Sequence, residues 1–251
     1  MRDPYWDILK GLGIIAVVTA HAGILVQEIN WFHLELFFFV SGFLFNAEKC
    51  LDYGNFFLHK LKTLWKPFVL YNIFFILLNN FFISVNCMLT QQMAKEYAVL
   101  LDEEYPEIWA EGFAMTFSEW IGIYEVPSHI VSTVLTGQVN SMCGATWFMA
   151  PFFFNILLFA FLVKCSHKKS TWILPLLLTL FFALGVTTVN NSPGMVMYGD
   201  MSMFLLPITA AGFYLKKFCT AKNIHIKQIF SNGISGGGYY NFPYNIRLFG
   251  V

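Results

Sequence analysis

Apolar residues fill this chain in long charge-free blocks, and polar residues gather between them. The blocks are too long for strands of a soluble sheet, and about 20 mostly apolar residues suffice to cross a hydrocarbon layer of roughly 30 Å. Six blocks reach or approach that length: Gly11–Gln27 (starting near Ile8), Phe32–Phe45, Pro67–Val85, Thr146–Val163, Trp172–Val189 and Met201–Leu215. The third lies inside a charge-free run reaching Ala94, and the second is interrupted by His33 and Glu35. The second and sixth are short and lengthen only by borrowing boundary residues. The pattern predicts an all-α, polytopic transmembrane bundle of about six spans.

Composition agrees. Of the 251 residues 57% are hydrophobic and only 12% charged, with 29 Phe. One soluble core cannot hide that much apolar surface, so a soluble globular domain, a disordered chain and a nucleic-acid binder are excluded. Net charge is zero, with 15 basic and 15 acidic residues, so only their distribution is informative. Arg2 and Lys10 precede or open span one, and Lys49, Lys60, Lys62 and Lys66 lie between spans two and three. Lys164, Lys168 and Lys169 lie between four and five, and Lys216, Lys217, Lys222, Lys227 and Arg247 follow six. With a cytoplasmic amino terminus, 14 of the 15 basic residues are cytoplasmic and only Lys95 is not, as the positive-inside rule requires. Both termini are then cytoplasmic. Residues 86–145 become a long extracytoplasmic segment carrying Glu96, Asp102, Glu103, Glu104, Glu107, Glu111, Glu119 and Glu125. It reads as a solvated acidic face over the spans, although its second half, Gly112–Gln138, is amphipathic enough to lie on or dip into the interface.

Polar groups within a bilayer are costly, so each is examined for a role. His21 follows Lys10 by eleven residues. Eleven helical steps of 100° end within about 20° of three full turns, so the two share a face about 16 Å apart along the axis, with Asp7, Ile14 and Val17 on the same stripe. Imidazole suits proton transfer near neutral pH; a hydrogen bond that glues helices is the alternative, and spacing leaves both open. His33 and Glu35 sit near the outer end of the second block, where headgroup contact alone accounts for them. Ser41-Gly42 permits close helix approach. Lys60, Lys62 and Lys66 satisfy topology and lipid headgroups, or seat the phosphates of a nucleotide-bearing donor such as coenzyme A.

Other signals carry less. Ala20-His21-Ala22 looks like a signal-peptide cleavage site, but Asp3, Asp7 and the later spans argue against one. The five Cys lack C-x-x-C spacing; Cys50, Cys165 and Cys219 map to the reducing side, while Cys87 and Cys143 bracket the external segment and either pair or act as small apolar residues. No metal spacing occurs among the six His. Gly233-Ile234-Ser235-Gly236-Gly237 matches G-x-S-x-G, but it lies in the Gly- and Asn-rich tail and lacks the strand–turn–helix setting of a nucleophile elbow.

Four stretches together resemble the acyltransferase-3 family of integral membrane proteins, with sugar O-acetyltransferases the nearest flavour. YWDILKGLGIIAVVTAH, residues 5–21, resembles the family's first span, where Arg or Lys, ten residues and then His form the hallmark. FHLELFFFVSGFLF, residues 32–45, is similar to its second span. KLKTLWKPF, residues 60–68, resembles the basic stretch leading into the third span. GATWFMAPFF and MFLLPITAAGFYLKK resemble later spans. The likeness runs from Tyr5 to Lys217, and residues 1–217 are taken as the membrane domain with 218–251 as a cytoplasmic tail.

The resemblance implies a plasma (inner) membrane enzyme moving an acyl group, usually acetyl, from cytoplasmic acyl-CoA to a hydroxyl of an envelope glycan or lipid-linked sugar. It implies His21 as the catalytic histidine, Lys10 as its basic companion, and His33, Lys60 and Lys62 as substrate-binding residues. Acetyl-CoA serves as donor, with no metal and no permanently bound cofactor. The family's R-x-x-R reads here as Lys60 and Thr63, with Lys62 or Lys66 standing in, and Glu35 replaces a usual Pro. Members carry more spans than six, so missing final spans are expected. An inactive remnant, a transporter or flippase, and a sugar-polymer polymerase or ligase remain alternatives; no repeat of the transporter kind is evident.

Overall fold

The computed structural model describes residues 4–21, 32–85, 87, 119–191 and 198–221. Among these every regular element is helical. The helices are α1 (Pro4–His21), α2 (His33–Leu44), α3 (Tyr53–Lys60) and α4 (Lys66–Ser84). There follow α5 (Val126–Thr136), α6 (Met149–Ser166), α7 (Ile173–Asn191), α8 (Gly199–Phe204) and α9 (Leu206–Ala221). A π-helical turn, Leu61–Trp65, joins α3 to α4 without a break, and a 3-10 turn, Ser141–Thr146, leads into α6. Two helices are long and apolar enough to cross a membrane: Tyr53–Ser84 and Met149–Ser166. Leu34–Leu44 and Ile173–Val189 are shorter apolar helices.

The sequence reading starts the third block at Pro67; the helix starts fourteen residues earlier. Asp52 caps it, its side chain accepting from the Asn55 amide. Phe56, Leu64 and Trp65 then face the core at helical spacing. Lys60 and Lys62 hide this stripe from a search for charge-free runs. Pro67 lies inside this continuous helix, just after the π-helical turn, which accommodates its missing N–H.

Aromatic contacts set the helix directions. Trp6 stacks on Phe43 with centroids 4.2 Å apart, and Gly13 abuts Phe37, so α1 runs antiparallel to α2. Phe37 meets Phe148, Phe38 meets Phe152 and Phe45 meets Phe159, so α6 runs parallel to α2. Helix α9 also runs parallel to α2. A Cβ on Gly42 would collide with the Thr209 carbonyl, and one on Gly212 with the Phe39 carbonyl; only glycine lets the two backbones approach so closely. The Ser41-Gly42 expectation is met here.

The main core lies where α2, α6, α7 and α9 meet, around Phe45, Phe159, Leu162, Leu206 and Phe213. Inside it, Thr209 donates to Asn155 Oδ1 at 2.6 Å, and Asn155 donates to the Ser202 carbonyl at 2.8 Å. Each buried polar group thus has its partner. A second core joins Trp65 and Phe68 to Ala150, Phe153 and Leu157. Helix α6 therefore packs along Tyr53–Trp65, whereas α4 packs against α5 and the 3-10 turn.

Candidate functional site

Helix α1 has one packed side and one bare side. Gly13 is buried against α2, while Ile8, Leu12, Ile15 and Val18 are exposed. Lys10 lies between these sides, 3.9 Å from Asp7 in an i,i+3 pair. Its position between Trp6 and Gly13 places it opposite the middle of α2. Lys60 approaches from the end of α3, half-buried and over the Phe56 ring at 5.5 Å. Lys62 and Lys66 are exposed, and residues two apart on a helix do not face each other. Lys60 is therefore packed over the Phe56 ring, and Lys62 is left exposed.

A second basic group marks the end of the bundle where α2 and α6 finish. Lys216 Nζ donates to the Phe45 carbonyl at 2.8 Å, and Lys164 lies over the Tyr53 ring at 5.8 Å. Lys217 sits over Phe213 at 4.6 Å. Lys10 and Lys60 are set back from this end by about five or six helical residues, about 8 Å.

His21 is the last residue of α1 and His33 the first of α2; their side chains lie outside the described residues. The antiparallel register puts both backbones at one end of the bundle, opposite the lysines at Phe45 and Tyr53. His21 follows Lys10 along one uninterrupted helix, as the spacing predicted. Glu35, in the first turn of α2, has one carboxylate oxygen, Oε2, that is buried with no hydrogen-bond partner among the described residues. Such a group calls for a donor.

The sequence reading missed an asparagine set on α4. Asn72 and Asn79 are fully buried. Asn72 Oδ1 accepts from the Asn140 amide at 3.0 Å. Asn79 Nδ2 donates to the Glu119 carbonyl at 2.8 Å, and its Oδ1 accepts from Asn140 Nδ2 at 3.3 Å. Asn80 makes two bonds to the Ile121 backbone, at 2.7 and 2.9 Å. Their spacing, at positions 72 and 79 on one face of an apolar helix, was the available signal.

The thiols are plain. Cys87 and Cys143 are both free, Cys87 exposed and Cys143 buried, so the pairing alternative is corrected. Burial pushes the Cys143 thiol up to about 12 and also raises Cys50. Neither is an activated nucleophile. Among the described residues no cluster of three or more His, Cys, Asp or Glu is arranged to hold a metal. The Gly233–Gly237 motif, the tail and the acidic residues between Glu96 and Glu111 lie outside the described residues.

An apolar helical bundle whose first helix carries a lysine eleven residues before a histidine defines a membrane-associated class of protein. A family model for an acyltransferase domain matches residues 3–224. The chain belongs to this family, acyltransferase-3. Searches of curated proteins and of solved structures yield no match.

Proposed function

We propose that the protein is a multi-pass membrane O-acyltransferase that moves an acetyl group from acetyl-CoA to a hydroxyl of an envelope glycan or lipid-linked sugar. The observation that carries this reading is the unbroken helix that bears Lys10 and His21 eleven residues apart, within the matched acyltransferase domain. Lys10 and Lys60 are the cations offered to anionic phosphates through charge-assisted hydrogen bonds. The nucleotide end of the donor binds there, entering from the end marked by Lys164 and Lys216. That end is cytoplasmic in the six-span topology, with both termini inside the plasma membrane's cytoplasmic face. Lys62, exposed, contributes at the rim.

The pantetheine arm then follows α1 for the roughly 16 Å that separate Lys10 from His21. His21 accepts the proton of the acceptor hydroxyl. The hydroxyl oxygen attacks the thioester carbonyl, the C–O bond forms, the C–S bond breaks, and the departing thiolate takes up a proton. The thioester is already activated, so no metal takes part. His33, on the first turn of α2, orients the acceptor.

The test is envelope-glycan acetylation in cells carrying His21→Ala at equal membrane abundance. Acetylation is expected to disappear, and unchanged acetylation overturns the assignment.

A further inference from the structure

Residues 119–140 do not have the character of a solvated loop. The segment leaves Asn80, descends along α4 as α5, and reaches Trp65, where Gly137 turns the chain with φ of 73°. Gly137 caps α5, and a side chain there would collide with Ala150. The chain then returns to Asn72 and Asn79 through Asn140. Its non-helical backbone at both ends is paired by the three α4 asparagines. Irregular backbone is tolerated at membrane depth only when its polar groups are satisfied within the protein.

Helix α5 has three faces. Thr133 packs against α4 and is buried. Val131 and Val134 are exposed, as are Leu70, Phe74, Leu77 and Phe81 on α4. The third face carries His129, Ser132 and Thr136, with Ser128 and Leu135 together at its edge. Several of its hydroxyls are satisfied locally: Ser128 donates to the Glu125 carbonyl at 2.6 Å, and Thr136 to the Ser132 carbonyl at 2.7 Å. At the head of the segment, a tight turn presents Trp120, Ile123 and Tyr124 at 63%, 80% and 95% exposure. It is held rigid by Asn80 and by Glu125, whose carboxylate accepts from the Gly122 amide. Rigid display of large apolar side chains beside an apolar stripe fits a lipid surface, and Trp and Tyr favour the membrane–water boundary.

We propose that residues 119–140 form a re-entrant element. Trp120, Ile123 and Tyr124 seat at the outer interface, Val131 and Val134 face acyl chains, and the face carrying His129 meets water. The proposal rests on the chain being a membrane bundle but not on acetyl transfer, so the two fail separately.

The experiment replaces Cys87 and Cys165 with Ser and then introduces His129→Cys, Val131→Cys or Val134→Cys singly. Each of these positions is exposed, so core packing is untouched. The variants are placed in phosphatidylcholine–phosphatidylglycerol vesicles and treated with a membrane-impermeant maleimide. Labelling at 129 is expected to exceed that at 131 and 134 by about ten-fold or more, as an interfacial amphipathic helix requires. Equal labelling of both faces means a solvated loop and overturns the proposal. Protection of both faces means burial under other protein and also overturns it. A nitroxide at Ile123→Cys gives a second measurement: collisions with oxygen are expected to exceed those with a water-soluble nickel chelate, and the reverse order overturns the anchor.

Discussion

At the residue scale the site divides neighbours that look equivalent in sequence. Lys60 and Lys62 are two positions apart, yet one is half-buried over the Phe56 ring and the other is exposed. Lys60→Gln is expected to weaken acetyl-CoA binding by about ten-fold, the value of one charge-assisted contact of roughly 1.5 kcal/mol. Lys62→Gln is expected to change it less than about three-fold, as an exposed charge should. Titration of donor binding to purified protein checks both. Glu35→Leu removes a buried oxygen that has no partner among the described residues. The donor-free protein is therefore expected to gain about 1 kcal/mol of stability, read as a higher melting midpoint in detergent. Cys143 supplies a pH test. Between the ordinary thiol value of 9.0 and about 12, the folded chain keeps a proton that the unfolded chain has released. Stability therefore declines as pH rises from 9 through that window. At pH 8 Cys143 should resist maleimide in the native protein and react once denatured.

At the element scale two devices hold helices at fixed distances. Gly42 and Gly212 let α2 and α9 touch backbone to backbone. Gly212→Leu must push them apart, and is expected to abolish the folded population recovered from membranes on size exclusion. Asn79→Leu strands the Glu119 carbonyl and the Asn140 amide group. It should cost about 1–3 kcal/mol, seen as earlier proteolysis between Glu119 and Asn140. These devices were unequally legible in the sequence. Ser41-Gly42 announced close approach because small residues in an apolar block have few other uses. The asparagines were overlooked because a search for charge passes over neutral amides. The helix over Tyr53–Trp65 was overlooked because Lys60 and Lys62 interrupt the apolar run, and side chains of that length leave an apolar stripe intact beneath them. Lys10 and His21 were legible as a pair because both lie on one helix.

At the scale of the whole molecule, charge and direction agree. Helices α2, α6 and α9 run parallel and end together, and Lys164 and Lys216 cluster at that end. The alternation of basic stretches between apolar blocks anticipated this grouping. It did not anticipate that α6 lies along Tyr53–Trp65 while α4 takes α5 as its neighbour. That offset follows from Trp65 and Phe153, whose rings pack 4.9 Å apart. Charge-free blocks locate helices but carry no information about which of them touch. Reporter fusions after Ser166 and after Ala221 are both expected to read cytoplasmic, and a fusion at Cys87 extracytoplasmic.

Helix α1 packs chiefly on α2, through the Trp6–Phe43 stack and the Gly13 notch that receives Phe37. A rod held along one side is free to slip lengthwise unless something pins it. Slippage by one turn would carry His21 about 5.4 Å along the axis, more than the length of the bond it has to make. Gly13 is thus the detent of a slide rule: filling that notch should detune the reach between lysine and histidine without touching either.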